Sequence, residues 1–373
     1  MNYFLILYLF LVVISPFFSF ISLLFAPYVF KSTPKMFIFI GALIPGLMLM
    51  NKVPAGDLVR YLEWNTYAIE MGILDFLQFM HWREVGYLLL AFSISNIPFY
   101  GENIYVFLVV FISYYLILYS VYLICRYLKV NPNLVIIFFL SIVLFGPMLS
   151  LSTQIIRQFL SSSFLMLFFA LSISSGRYKW PLIVTSILFH YSALFFLPLI
   201  FLTRYSYKAI FIWSIIIYSC FFWFSDVLIG IPYIGNIIID RIITLKGHEL
   251  NALTSGPYII IFSLIVSAVF VIFKSTNQML LRLCYVAILL SLFVFFMSIF
   301  SISSELATRY FFFIYFFLIL LIPFVISEFS NKYLLYLAVF SVAVLSFVNS
   351  IIFGVWEYVT ILTPFFSILI LWS

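Results

Sequence analysis

Long apolar runs separated by short polar breaks make up most of the chain. The runs 3–26, 36–50, 103–125, 132–150, 155–175, 209–226, 257–273, 283–300, 310–327, 333–353 and 358–373 carry almost no charge. Each is read as one membrane crossing, since a helix rising 1.5 Å per residue needs about 20 residues to traverse the hydrocarbon layer. Two stretches do not fit as simple spans. Val85 to Pro98 is expected to be a short helix that does not cross. Pro181 to Thr203 joins two basic loops, so it must enter and return, with a break near His190 to Ser192. Such a hairpin is tolerated at membrane depth only where protein or water covers the broken backbone.

Two loops are long enough to hold structure of their own. Asn51 to Glu84 carries Asp57, Arg60, Glu63, Glu70, Asp75, Arg83 and Glu84 with Trp64 and Trp82, a pattern that suits amphipathic helices lying in the interface. Asp226 to Gly256 carries Asp240, Arg241, Lys246, His248 and Glu249 among Gly and Pro breaks.

The run from 155 to 175 holds an unusual polar pattern. Gln154, Arg157, Gln158 and Ser161 fall at i, i+3, i+4 and i+7, one stripe on a helix that must face a cavity or a partner instead of lipid. Ser152 and Thr153 precede it as expected N-caps, which would set Arg157 in the first turns beside unpaired backbone amides and the positive end of the dipole. That combination suits an anion, phosphate above all.

Composition removes the soluble alternatives. With 66% hydrophobic and 8% charged residues and a mean hydropathy of +1.26, the chain lies far from the roughly 25% charge of soluble domains. It is read as an all-α polytopic membrane protein, a single integral domain over 1–373 with about 11 transmembrane helices. No soluble domain, internal repeat or low-complexity tail stands out. The first run has no basic segment before it and is too long for a signal-peptide core, so it is read as a retained span. Cys125, Cys220 and Cys284 are widely spaced in apolar segments, which implies packing and neither a zinc site nor disulfides.

The distribution of charge sets the orientation and argues against nucleic acid as a partner of this +6 chain. Lys31, Lys35, Arg126, Lys129, Arg177, Lys179, Arg204, Lys208, Lys274, Arg282 and Lys332 fall in short breaks that the positive-inside rule makes cytoplasmic. Those breaks hold 11 basic residues and one acid, Glu328, and the other side holds 7 basic and 11 acidic residues. Eleven crossings then place the N-terminus outside and the C-terminus inside.

Arg157 with Gln154 and Gln158 is the strongest candidate site, because an arginine within a membrane helix is costly and tends to be functional; the alternative is an interfacial arginine reaching lipid phosphate. His190 stands at the expected break, where a neutral imidazole could exchange a proton or simply hold the break by hydrogen bonds. Glu305 and Arg309 sit at i, i+4 at the outer end of a span and read as a helix-terminal ion pair. Asp57 with Arg60, and Arg83 with Glu84, flank the first outer loop on the same side of the membrane as Arg157 and Arg309. No two acids stand at i and i+2, and no P-loop, HExxH or GxSxG is present. An enzyme built from this chain would manage pyrophosphate with arginines and not with a metal ion, and no cofactor is implied.

The order of motifs is informative. Gly56, Asp57 and Tyr61; then Arg83, Glu84, Gly86 and Tyr87; then Thr153, Ile156, Arg157 and Gln158; then Phe189 to Leu194, reading FHYSAL; then Arg309 and Tyr310: this series resembles the EpsG-like, Wzy-type polysaccharide polymerases over residues 50 to 325. Leu58 and Val59 after Asp57 depart from the commonest form of the first motif. The resemblance implies a bacterial inner-membrane glycosyltransferase of the GT-C kind, with its active site on the outer, periplasmic face. It would join undecaprenyl-pyrophosphate-linked oligosaccharide repeat units into O-antigen or a related surface glycan. Membrane lipid and a chain-length regulator protein are its implied partners.

The residues agree with that chemistry. Cleaving a sugar-to-pyrophosphate bond develops negative charge on the leaving group, which preorganised arginines stabilise in a water-poor cavity. Arg157 and Arg309 are the expected donors, with Gln154, Gln158, Arg83 and Arg60 near the substrate. The attacking hydroxyl must lose a proton, to Glu84 or to His190, with Asp57 a third candidate for catalysis. A lipid-linked-oligosaccharide flippase, a membrane acyltransferase and an O-antigen ligase are the competing classes. The lack of repeat symmetry between halves and the long charged outer loops argue against the flippase.

Overall fold

The computed structural model describes residues 34–50, 57–82, 84–98, 101–130, 149, 152–153, 155–195, 212, 216, 255–274, 276, 278–299, 313–314, 316–321, 323–324 and 327. Among the described residues the regular structure is helical and no strand occurs. Helix α1 is Pro34–Leu49, α2 Asp57–Glu70, α3 Ile73–Phe79, α4 Val85–Ser95, α5 Glu102–Tyr127, α6 Ile156–Ser175 and α7 Trp180–Phe189. A 3-10 turn, Tyr191–Phe195, follows, and α8, Ser255–Lys274, and α9, Gln278–Ile299, complete the series. Two of these helices, α5 and α6, are long and apolar enough to cross a membrane.

Where expected spans are described, helices replace them with ends shifted by a few residues, as for 36–50, 103–125, 155–175, 257–273 and 283–300. The expected spans 3–26, 333–353 and 358–373, nearly all of 132–150 and 209–226, and the loop from 226 to 254 lie outside the described residues. The first outer loop does form two helices, α2 and α3. Val85 to Pro98 contains α4, whose eleven residues rise only about 16 Å, half of what a crossing requires.

The chain divides into two compact units, Met1–Ala193 with Ile326–Ser373, and Leu194–Val325. In the first, α5 packs against both α1 and α6, α7 packs against α6 and α4, and α4 also gathers α2 and α3. The buried positions of α5 come in pairs, 105–106, 109–110, 113–114, 117–118, 120–121 and 124–125, the spacing of a helix with one committed face. Helix α6 is enclosed more completely, and its Ser161, Ser162, Ser163 and Ser172 are buried with most of its Leu and Phe residues. Small side chains let neighbouring helices approach closely. Ser161 and Ser186 use that approach: each hydroxyl donates to the other residue's carbonyl oxygen at 2.8 Å, joining α6 to α7.

The ends of α6 differ from expectation at one side. Its N-cap is Ile155, without a side-chain hydrogen bond. Ile155, and neither Ser152 nor Thr153, therefore occupies the cap position; Ser152 and Thr153 already have helical backbone, and the Ser152 hydroxyl donates backwards to the Leu149 carbonyl at 2.7 Å. Gly176, at φ +67°, ends the helix in the left-handed conformation glycine adopts without a Cβ penalty. Helix α7 stops at Phe189 and His190 is extended, with φ −158° and ψ 126°, so the helix ends at the expected break. Residues 196–203, where the return is expected, lie outside the described residues.

In the second unit α8 and α9 pack against each other across the connection at residues 275–277. Cys125 and Cys284 are each a buried free thiol; Cys220 lies outside the described residues.

Candidate functional site

The turn between α3 and α4 is strained. His81, Trp82 and Glu84 have φ of 53°, 54° and 50°, and a non-glycine residue in that left-handed region costs roughly 1 to 2 kcal/mol. Glu84 precedes α4 at the N-cap position, yet its side chain makes no cap hydrogen bond there. The carboxylate is turned to Arg157, the second residue of α6, whose Nη1 donates to Oε2. The other oxygen, Oε1, lies 3.6 Å from Nε2 of His190 at the break after α7. Three motifs far apart in sequence therefore converge on one carboxylate.

Aromatic rings hold the guanidinium. Its carbon lies 5.0 Å from the Trp64 ring centre, 5.3 Å from Tyr61 and 6.0 Å from Tyr87, within reach of cation–π attraction. The three rings also meet one another edge to face. Arg157 Nε donates to the Tyr61 hydroxyl at 3.3 Å. Behind this box the Tyr87 and Tyr105 hydroxyls are bonded together. Burial above all, and then the neighbouring Tyr105 and Tyr61 phenols, push Tyr87 well above the ordinary tyrosine range against the opposing pull of Arg157, so its hydroxyl stays neutral.

The tautomer of His190 follows from its neighbours. The Ser192 backbone N–H, which can only donate, points to His190 Nδ1 at 3.2 Å, and the Ser192 hydroxyl lies 2.6 Å from the same nitrogen. Nδ1 is therefore an acceptor, and in the neutral ring the proton sits on Nε2, facing Glu84. Side-chain exposure is 8% for Glu84, 9% for His190 and 19% for Arg157. Glu84 is thus not the accessible interfacial carboxylate its place in an outer loop predicts: it is sealed behind Arg157, the most open member of the trio. His190, at the break that follows the apolar helix α7, has a carboxylate before it.

Gly86 makes the meeting possible. A Cβ there would lie 2.9 Å from Leu188 Cβ and 3.1 Å from its carbonyl carbon and oxygen. Only a residue without a side chain lets the start of α4 rest on the end of α7, two residues from His190.

Asp57 and Arg60 stand apart from the trio. They pair with each other at 2.8 Å on the surface of α2, 45% and 49% exposed. Arg60 nevertheless lies 5.9 Å from both the Tyr61 and Trp64 rings that carry Arg157, so it borders the box without entering the carboxylate cluster. Gln158 is buried in α6. Gln154, Arg83, Glu305 and Arg309 lie outside the described residues. Among the described residues no three His, Cys, Asp or Glu side chains group as metal ligands.

The site also contains residues that polar pattern alone does not single out: Tyr61, Trp64, Tyr87, Tyr191 and Ser192. Four of them belong to the motifs GD...Y, RE.GY and FHYSAL, and Trp64 stands one helical turn from Tyr61, so adjacency to a motif was the available signal. No known family model, curated protein sequence or solved structure matches the chain.

Proposed function

We propose that this chain is a polytopic glycosyltransferase of the bacterial inner membrane, crossing about eleven times. It joins undecaprenyl-pyrophosphate-linked repeat units into a surface glycan on the outer face. What supports this reading most is the convergence of Glu84, Arg157 and His190, drawn from three separate motifs into one enclosed cluster. Taking charge out of water is expensive, and a carboxylate and guanidinium kept together at such depth call for a use.

Each member has a part suited to glycosyl transfer without a metal. The acceptor hydroxyl oxygen attacks the anomeric carbon of the donor sugar, the bond from that carbon to the pyrophosphate oxygen breaks, and the hydroxyl proton passes to a base. Arg157 holds the departing pyrophosphate with its planar fork of donors, kept in place by Trp64 and Tyr61. Glu84 is the base. His190 presents Nε2–H to Glu84 and in this tautomer has no lone pair on that side to offer a proton, so it orients the carboxylate.

The Arg157 guanidinium has five N–H donors and gives one to Glu84 and one to the Tyr61 hydroxyl, so the others can bind pyrophosphate while the ion pair keeps Glu84 in place. The deciding experiment is deletion of the gene followed by gel analysis of surface glycan. Loss of a polymerase leaves a single repeat unit on the acceptor. Complete absence of the unit would point to a flippase or a ligase and refute the proposal.

A further inference from the structure

Within the 3-10 turn after His190, Tyr191 reaches back to the strained turn that carries the carboxylate. Its hydroxyl accepts from the Glu84 backbone N–H at 3.1 Å and donates to the Trp82 carbonyl at 3.4 Å. Two adjacent residues thus grip one glutamate from both ends: His190 faces its carboxylate, and Tyr191 holds its amide. Trp82 and Glu84 are both left-handed, a conformation that persists in non-glycine residues only where the surroundings impose it. A backbone N–H just before a helix has no carbonyl in that helix to bond, and the phenol supplies an acceptor.

We propose that Tyr191 is a positioning residue for the base, holding the 81–84 turn so that Glu84 stays between Arg157 and His190. This rests on the assignment of Glu84 as the base of glycosyl transfer. The hydroxyl is suited to the role because the Tyr191 side chain packs loosely: the residue is 49% exposed. Tyr191→Phe therefore removes two hydrogen bonds while leaving no buried cavity.

The test uses the full-length protein in lipid nanodiscs, with two independent readouts on Tyr191→Phe. The first is backbone hydrogen exchange over residues 80–86, which should quicken in the variant. The second is turnover of lipid-linked repeat units. A base displaced by a fraction of its bond length should cost about 10- to 100-fold in kcat with KM for the donor unchanged. In a Glu84→Gln background the same change should cost nothing further, an outcome that a merely structural tyrosine would not produce. Equal exchange in wild type and variant overturns the clamp whatever the protein's activity. So does faster exchange with kcat unchanged, or full additivity with Glu84→Gln. A wild-type protein inert on lipid-linked units defeats the glycosyltransferase reading and with it the positioning of a base, and the exchange data then report separately whether the hydroxyl holds the turn.

Discussion

Arg157 and Glu84 are each the reason the other can remain charged below the protein surface. Removing one partner of a buried pair typically costs 3 to 5 kcal/mol, because the survivor is left uncompensated. Arg157→Lys is the more discriminating change, since it keeps the charge but loses the fork and much of the contact with Trp64 and Tyr61. Polymer synthesis should fall sharply with membrane protein level maintained, and full-length polymer would take Arg157 out of the site. The two proton-handling residues separate in the same assay. Glu84→Gln keeps shape but cannot accept a proton, so turnover should drop on the order of 10²- to 10⁴-fold. His190→Gln should lose much less, because it gives up only an orienting contact. The reverse order would make His190 the base and would require its tautomer to differ from the one Ser192 imposes.

At the scale of elements, the site depends on how closely α4, α6 and α7 approach. Gly86→Ala puts a methyl 2.9 Å from Leu188 Cβ and 3.1 Å from Leu188 backbone atoms, and backbone cannot swing aside as a side-chain tip can. Overpacking of this kind costs about 1 to 3 kcal/mol. The strain falls on the contact that sets Glu84 against His190, so activity should fall further than thermal stability. A Gly86→Ala protein with normal turnover would show that α4 and α7 can separate without disturbing the trio. The Ser161 and Ser186 hydroxyls bond across α6 and α7 on the same seam, and they explain why the polar stripe of α6 can pass beside a second helix with its hydroxyl satisfied.

For the whole molecule the prediction concerns topology. If Pro181 to Thr203 enters and returns, reporter tags after Lys179 and after Lys208 should both register as cytoplasmic. Opposite locations would make the stretch a single crossing and invert the orientation of everything that follows. The helix ends at Phe189 with His190 extended, and the tags decide whether the chain beyond that break returns or continues across.

Helix positions were legible from hydrophobic runs alone because burial of apolar surface is a property of a segment's own side chains. Runs such as 103–125 and 155–175 become helices wherever they are described. Candidate chemistry was legible by type for an arginine in an apolar helix and a histidine at a break, which cost too much or sit too oddly to be ordinary packing, and for Glu84 by its place in the motif Arg83, Glu84, Gly86, Tyr87. Their partnership was not legible, because Glu84, Arg157 and His190 lie at the ends of three different helices, and only tertiary packing sets the distance between them. The same packing turned an apparently exposed loop carboxylate into a buried one, recruited Tyr61 and Trp64 to hold the guanidinium, and left Ser152 and Thr153 without the capping role their position suggested. Sequence determines which groups are expensive to bury; tertiary structure decides which of them bear that cost together, since an ion pair depends on separation in space and sequence records only separation along the chain.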